Sequence, residues 1–147
     1  MLHKSEIPEF RADGYLPEGL HFASEAEVVF RFGASTARRR RLALRLRRWI
    51  GLIREIGGKR LLLDGSFVTA KQNPDDIDAI VLLPPDFGMQ IAQGIESALE
   101  LERMLLNRHP EEIFAAEDEA DWNDWVGFFS RTREVDGRRK GLVEVDL

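Results

Sequence analysis

A Gly-Ser pair followed by two aspartates at alternate positions is the most informative candidate for a functional site in this sequence. Gly65 and Ser66 directly follow one apolar run, and Asp76 and Asp78 stand at the start of the next. Because side chains on a strand alternate between its faces, the two carboxylates are expected to project to the same side. Two anions held side by side repel each other unless a cation lies between them, and carboxylate oxygens are ligands that Mg²⁺ prefers. The aspartate pair therefore predicts a site for Mg²⁺ or Mn²⁺.

The Gly-Ser pair is typical of a turn that binds phosphate. Gly65 has no Cβ, so a phosphate can approach the backbone closely, and Ser66 can donate from both its amide and its hydroxyl. Lys71, in the loop before the aspartates, could add positive charge against a triphosphate, although an exposed loop lysine fits its position equally well. In a two-metal site, the ions stabilise the attacking and the leaving oxygen of an in-line displacement. Together these residues predict a nucleotide triphosphate as substrate.

The spacing resembles the defining motif of the polymerase-β-like nucleotidyltransferase superfamily. That motif is Gly-Ser, a short loop, and then Asp-Ile-Asp among apolar strand residues, as in this sequence. The resemblance implies that Gly65 and Ser66 contact the phosphates and that Asp76 and Asp78 bind two Mg²⁺ ions. It also implies a reaction, the transfer of a nucleoside monophosphate from a triphosphate onto a hydroxyl.

The resemblance does not identify which residue provides the third carboxylate. Superfamily members that catalyse carry it on a later strand, where it binds the catalytic metal and helps to deprotonate the acceptor hydroxyl. In the minimal members it lies on the strand after the intervening helix, which indicates Glu112 or Glu117 here. The expected apolar-acid-apolar pattern is met better by Glu144 and Asp146. On topology, Glu112 is the first candidate for the third catalytic residue.

A second resemblance extends over nearly the whole chain. It is carried by Ile-Pro-Glu-Phe at 7–10, Gly-Tyr-Leu-Pro-Glu-Gly-Leu-His at 14–21, Asp-Gly-Ser-Phe-Val-Thr at 64–69, Phe128-Phe129 and Lys140-Gly141. These segments resemble a family of small bacterial proteins of unassigned function that is grouped with nucleotidyltransferases. Minimal nucleotidyltransferases often act as antitoxins, which modify or cover a cognate toxin. A cognate toxin is therefore one candidate for a protein partner, and the second resemblance itself implies that the N-terminal arm belongs to the domain.

The first elements of the chain are an irregular arm and two helices. Residues 1–22 contain prolines and glycines without a periodic pattern, which predicts an irregular arm packed on the body. A capping box at Ser24 and Glu27 opens a short helix. A longer helix begins after Thr36, carries apolar residues at steps of three and four, and ends at Gly57. These helices precede the site and must support it from one side.

The remaining elements hold the candidate site between strands. They are strands at 60–64, 77–83 and 113–117, a helix over 87–107, and a β-hairpin with strands 125–134 and 140–147. Runs of apolar residues indicate the strands, and Asp136-Gly137 is a typical hairpin turn. Helices followed by strands interleaved with a helix predict an α+β fold, a mixed sheet flanked by helices as in nucleotidyltransferases. We expect one domain over residues 1–147.

Composition excludes several classes of protein. The chain has 147 residues, no cysteine and a formal net charge of −5. Its apolar runs are far shorter than the ~20 residues of a membrane helix, so no membrane partner is expected. Without cysteine there is no disulfide framework, and a cytoplasmic location is expected. The negative charge makes nucleic acid unlikely as a general ligand. The arginines of 38–48 and the acids of 111–124 are expected to be solvated, or alternatively to dock a charged partner.

Two functions of different classes follow from these observations. The first is a Mg²⁺-dependent nucleotidyltransferase that acts on a hydroxyl of a protein, a nucleic-acid end or a small molecule. The second is a catalytically weak or inactive antitoxin or binding module that has the same fold and covers a partner protein. The carboxylate pair favours the first, and the small size of the chain, with no evident acceptor domain, favours the second.

Overall fold

A five-stranded mixed sheet forms the centre of the computed structural model, which describes residues 7–107, 112–132 and 136–147. The strands are β1 (Gly19–Ser24), β2 (Arg60–Asp64), β3 (Asp78–Leu82), β4 (Ile113–Ala116) and β5 (Gly141–Asp146). Their order in the sheet is β1-β5-β2-β3-β4. The pairs β1–β5 and β3–β4 are parallel, and β2 is antiparallel to both of its neighbours. The expected α+β class is confirmed at this level.

Five helices cover the two faces of the sheet unequally. They are α1 (Glu25–Phe32), α2 (Ala37–Ile56), α3 (Phe87–Ala92), α4 (Glu96–Leu106) and α5 (Glu119–Phe129). Apolar side chains of α1 to α4 form the larger core against one face, while α5 packs on the other face through the buried Trp122. Among the described residues, no helix combines the length and the apolar character that crossing a membrane would require.

The first two helices begin and end where the sequence predicts. The hydroxyl of Ser24 accepts a hydrogen bond from the amide of Glu27, and the hydroxyl of Thr36 accepts one from Arg39, each at 3.1 Å. Gly57 ends α2 in the left-handed region, with φ 75°. The apolar row of α2 is buried throughout: Leu42, Leu46, Trp49, Ile53 and Ile56. Caps and apolar periodicity together determine these helices.

The predicted irregular arm is wrong at its end, because Gly19–Ser24 is strand β1. This strand pairs in parallel with β5, from Gly19 opposite Gly141 to Ser24 opposite Asp146. A strand whose partner lies at the far end of the chain leaves little local signal. The described part of the arm before it has no helix or strand, and it packs on the body through the buried Ile7 and Leu16. Residues 1–6 of the predicted arm lie outside the described residues.

The helix predicted over 87–107 is two helices. Gly94 adopts φ 74° and separates α3 from α4. A left-handed residue cannot continue a right-handed helix, and glycine is the residue that takes this conformation without strain. Ile91, Ile95 and Leu99 recur at steps of four across the break, which is why the spacing suggested a single helix, but Ile95 at the break is 41% exposed.

The first strand of the predicted hairpin, 125–134, is also wrong, because most of it lies in or directly after helix α5. Asp118 caps this helix by accepting a hydrogen bond from the amide of Asp121 at 2.8 Å. Trp122, Trp125, Val126 and Phe129 then lie on one helical face at steps of three, one and three. Their β-propensity as aromatic and branched residues suggested a strand, but the cap and the spacing decide for a helix.

The predicted turn and second strand of the hairpin are found. Arg131 and Arg139 form an isolated antiparallel bridge around the turn, Gly137 has φ 65°, and β5 follows. Residues 133 and 134 of the predicted first strand lie outside the described residues. The strands predicted at 60–64, 77–83 and 113–117 correspond to β2, β3 and β4 within about one residue at each end.

Candidate active site

The candidate site lies where β2 ends and β3 begins. Asp64 is the last residue of β2 and pairs with Asp78, the first residue of β3. Asp76 precedes the strand by two residues, with the buried Ile77 between the two acids. The side chains of Asp76 and Asp78 converge, as predicted, although only Asp78 belongs to the strand itself.

Glu112 joins the two aspartates from the neighbouring strand. It stands immediately before β4, and its carbonyl accepts a hydrogen bond from the amide of Ala79 at 2.9 Å. One carboxylate oxygen from each of Asp76, Asp78 and Glu112 lies within 4.8 Å of the other two. The parallel pairing of β3 with β4 therefore brings the first-ranked third carboxylate to the aspartate pair.

The other three candidates for the third carboxylate do not join this cluster. Glu117 follows β4 at its opposite end and is exposed. Glu144 is buried in β5, where both of its oxygens accept hydrogen bonds from Arg60 at 2.7 and 2.9 Å. Asp146 is exposed near the end of β5, opposite Ser24 of β1. Of the two acids of β5, Glu144 forms an ion pair with Arg60 and Asp146 is exposed, so neither contributes to the site.

Gly65 shapes the turn between β2 and the loop. Its φ of 88° lies in the region that favours glycine. A Cβ at this position would come within 3.1 Å of the amide nitrogen of Asp78 and within 3.2 Å of the carbonyl oxygen of Asp76. The glycine is thus required for the close approach of the turn to the aspartate segment, a structural reason that the sequence analysis did not consider.

Ser66 holds Asp76 in place. Its hydroxyl donates to Oδ1 of Asp76 at 2.6 Å, and its amide donates to the same oxygen at 2.8 Å. The hydroxyl also accepts a hydrogen bond from the amide of Asp75 at 2.9 Å. Both donors that were predicted to contact phosphate are therefore directed at a carboxylate in this structure. The phosphate-binding role of Ser66 stays a prediction.

A cleft of about 830 Å³ opens over these residues. The turn, the aspartates, the predicted Lys71, the N-terminal arm and the end of α5 contribute to it. Its walls include Asp13, Gly14, Tyr15, Asp64, Gly65, Ser66, Lys71, Asp76, Asp78, Phe128, Phe129, Arg131 and Lys140. The arm and the residues after α5, which the sequence analysis did not assign to the site, form part of it.

Three of the acids that line the cleft have basic partners. Asp13 pairs with Arg11 at 3.0 Å, and Asp75 pairs with Lys71. Asp64, almost completely buried, forms an ion pair of 2.8 Å with Nζ of Lys140. Asp76 and Asp78 have no basic partner among the described residues, and neither has Glu112. Negative charge without compensation is concentrated where these three side chains meet.

This concentration changes the protonation of Asp78. Burial raises the pKa of Asp78 to about 8, and hydrogen bonding with Glu112 and repulsion from Asp76 add to the shift. Each cause disfavours a second and third anion in the same place. At neutral pH the metal-free cluster therefore retains a proton that the carboxyl of an exposed aspartate would have lost.

The raised pKa predicts how the stability of the metal-free protein depends on pH. Asp78 binds its proton more tightly in the folded state than in the unfolded state. Its contribution to stability is therefore complete below about pH 4 and is lost as the pH rises through about 8. Asp78→Asn should remove this part of the pH dependence. Thermal melts of both proteins between pH 5 and 9, with chelator present, measure it; parallel curves would contradict the shift.

Arg39 anchors the loop that carries the site. Its guanidinium, on a side chain only 5% exposed, donates to the carbonyls of Phe67, Thr69 and Lys71 at 2.5 to 2.7 Å. Arg38 donates in the same way to the carbonyl of Pro74 at 2.9 Å. The arginine segment of α2 was expected to be solvated or to dock a partner, but these two side chains organise the loop between Ser66 and Asp76.

Replacing Arg39 should destabilise the protein and loosen the site. Arg39→Met leaves several backbone carbonyls of the loop without a donor, and each unsatisfied buried group costs about 1–3 kcal/mol. We expect a loss of about 2–4 kcal/mol in the free energy of unfolding, measured by urea denaturation. Arg41→Met, which changes an exposed residue of the same helix, is the matched control. If Arg39→Met lowers the free energy of unfolding by less than about 0.5 kcal/mol, the loop keeps its structure without the hydrogen bonds of Arg39.

Comparison with known proteins places the chain in a family. Residues 8–146 match a family described as a family of unknown function (DUF6932). Because the match covers nearly the whole chain, the protein belongs to this family, and the arm from residue 8 onward is part of the shared domain. No curated protein and no solved structure gave a match.

Proposed function

We propose that the protein is a nucleotidyltransferase that depends on Mg²⁺ or Mn²⁺ and transfers a nucleoside monophosphate from a triphosphate onto a hydroxyl. The convergence of Asp76, Asp78 and Glu112 within 4.8 Å carries this proposal. In the resemblance noted above, two aspartates follow a Gly-Ser turn and a later strand supplies a third acid. The order of β2, turn, β3 and β4 has the same arrangement, and we infer a nucleotidyltransferase-like fold.

The three side chains suit a divalent cation. All offer carboxylate oxygens, the hard ligands of Mg²⁺ and Mn²⁺. Oε2 of Glu112 is buried and accepts no hydrogen bond from the described residues, which is costly for a carboxylate unless a ligand compensates it. A cation would also relieve the repulsion that raises the pKa of Asp78. The cleft has room in front of the cluster for a triphosphate.

Each residue of the site would have its own role in the proposed transfer reaction. Bound metal ions would supply Lewis-acid stabilisation of the attacking and leaving oxygens. Asp76, Asp78 and Glu112 would hold them, and Glu112 would take the role that the resemblance gives to the third acid, acceptance of the proton of the acceptor hydroxyl. Lys71 and Lys140 line the same cleft and offer positive charge to the phosphates, each of them held by an acid. Ser66 fixes Asp76 and, when a triphosphate binds, would have to redirect a donor to contact it.

A transfer assay tests the proposal. The protein is incubated with each of the four ribonucleoside triphosphates labelled at the α-phosphate, with Mg²⁺ or Mn²⁺, and with cell extract as a source of acceptors. We expect release of pyrophosphate and label attached to a protein, nucleic-acid end or small molecule, both abolished by chelator. Absence of both products with every triphosphate and both metals would overturn the enzymatic function.

A second candidate function is supported by the hydrogen bonds of Ser66. Its amide and its hydroxyl both donate to Asp76, so both donors that a phosphate would need are already used within the protein. That arrangement also suits a catalytically weak or inactive antitoxin or binding module, whose carboxylates keep a metal or nucleotide for structure. Such a protein would bind a partner such as a cognate toxin. Metal-dependent stabilisation by a triphosphate without any transfer product would favour this alternative.

A further inference from the structure

Phe128 is a large apolar side chain that the fold leaves exposed at the cleft. It lies in the last turn of α5 and remains 64% exposed, although its neighbours pack into the second core. Phe114, Trp125 and Phe129 form that packed aromatic group, with ring centroids 5.2 to 6.0 Å apart. Phe128 contacts this group only at its edge and is not part of the core cluster.

The contacts of Phe128 fix the orientation of its ring. It meets Phe129 at 5.2 Å with an interplanar angle of 88°, and Trp125 at 6.3 Å with 87°. Two edge-to-face contacts with rings that are themselves packed hold Phe128 in one orientation. An aromatic ring that is held by its neighbours and exposed to a cleft is a preformed stacking surface, because little side-chain entropy is lost when a second ring packs on it.

The position of Phe128 indicates which ligand the surface would take. Phe128 and Phe129 line the same cleft as Asp76 and Asp78. A nucleotide has an anionic end that needs metal ions and a planar base that needs an apolar surface, and this cleft offers a site for each. Arg131, directly after α5, lines it too and has no ion-pair partner in the part of the chain that the structure describes, so it can face an anionic ligand.

We infer that Phe128 is the stacking platform for the base of the nucleotide. This inference rests on the proposed function and adds to it the part of the site that recognises the nucleoside. Since stacking strength grows with the size of the base, a purine triphosphate should bind more tightly than a pyrimidine triphosphate. Because Phe128 would contact the face of the base and not its hydrogen-bonding edge, the preference for purine should be modest.

The test compares a nucleoside triphosphate analogue with a polyphosphate of the same number of phosphorus atoms that carries no nucleoside. Binding of Mg²⁺ with inorganic tripolyphosphate is measured by calorimetry against Mg²⁺ with an ATP analogue that has a methylene at the α,β-bridge. The wild-type protein should bind the ATP analogue more tightly than tripolyphosphate. Phe128→Ala should lower the affinity for the ATP analogue about tenfold, the effect expected when one stacking contact is lost. The affinity for tripolyphosphate should not change.

Three further variants separate stacking from apolar contact and from damage to the fold. Phe128→Leu should bind as weakly as Phe128→Ala, and Phe128→Trp should retain the affinity. Phe30→Ala removes another exposed phenylalanine, on α1 away from the cleft, and should change nothing. If Phe128→Ala binds both ligands as the wild type does, the platform is refuted while the triphosphate site stands. If the wild type binds neither ligand, the proposed function fails together with the platform.

Discussion

Asp76→Asn combined with Asp78→Asn is expected to abolish transfer and to remove the stabilisation that metal and triphosphate give. Both changes keep the shape of the side chain but remove the charge that holds a cation. Mutation of a residue that hydrogen-bonds to a metal ligand typically lowers metal affinity or activity about 10–100-fold. Loss of the ligands themselves should lower both further. For the wild type, a ligand at about 100 times its Kd stabilises the folded state by about 2.7 kcal/mol, which raises the Tm by several degrees.

The double variant should remain folded without ligand. Removing two carboxylates from a cluster of uncompensated negative charge relieves repulsion, so its Tm at pH 8 should equal or exceed that of the metal-free wild type. Asp124→Asn combined with Glu55→Gln removes two exposed acids outside the cleft and is the matched control. If the double variant keeps the full thermal shift with metal and triphosphate, the metal binds elsewhere.

Glu112→Gln is the second variant with a large expected effect, and it separates enzyme from binding module. If Glu112 holds the catalytic metal and accepts the hydroxyl proton, its loss should lower the rate constant of transfer by about 100-fold or more. Binding of the triphosphate should weaken only slightly, because Asp76 and Asp78 remain. Single-turnover transfer and calorimetry measure the two effects separately. Glu117→Gln changes an exposed glutamate at the opposite end of β4 and should behave like the wild type.

Two results would contradict this role of Glu112. Unchanged transfer in Glu112→Gln would mean that another group activates the acceptor. Loss of triphosphate binding together with transfer would mean that Glu112 is a ligand needed for binding and not a residue specific to the transfer step.

The part of the site that could be predicted from the sequence is local in the chain. Strand β2, the turn at Gly65 and the start of β3 are close in sequence, so the spacing of Asp76 and Asp78 predicted that they converge, although Asp76 precedes the strand and is held by Ser66. Glu112 was ranked first because of the expected order of elements, and the parallel pairing of β3 with β4 brings it to the pair. Glu144 fits the expected apolar-acid-apolar pattern better than Glu112. It does not join the site because it pairs with Arg60, a contact that the sequence could not reveal.

The parts that could not be predicted depend on distant contacts. Strand β1 forms because β5, at the other end of the chain, pairs with it. Helix α5 forms from aromatic residues that alone suggest a strand, and it brings Phe128 to the cleft. Arg39 became a support of the loop because its guanidinium reaches carbonyls some thirty residues away, which no charge pattern indicates. A signal for α5 was present, since Asp118 is a good cap and the spacing of Trp122 and Trp125 is helical.

A crystal structure with Mn²⁺ and the α,β-methylene analogue of ATP would show whether Asp76, Asp78 and Glu112 bind a metal ion beside a nucleotide. Data collected near the manganese absorption edge locate the ion by its anomalous signal, independently of any assumed acceptor. We expect an anomalous peak bound by carboxylate oxygens of Asp76, Asp78 and Glu112, with the triphosphate next to it in the cleft. A cleft that holds neither Mn²⁺ nor nucleotide at saturating concentrations, or an ion bound away from these three residues, would contradict it.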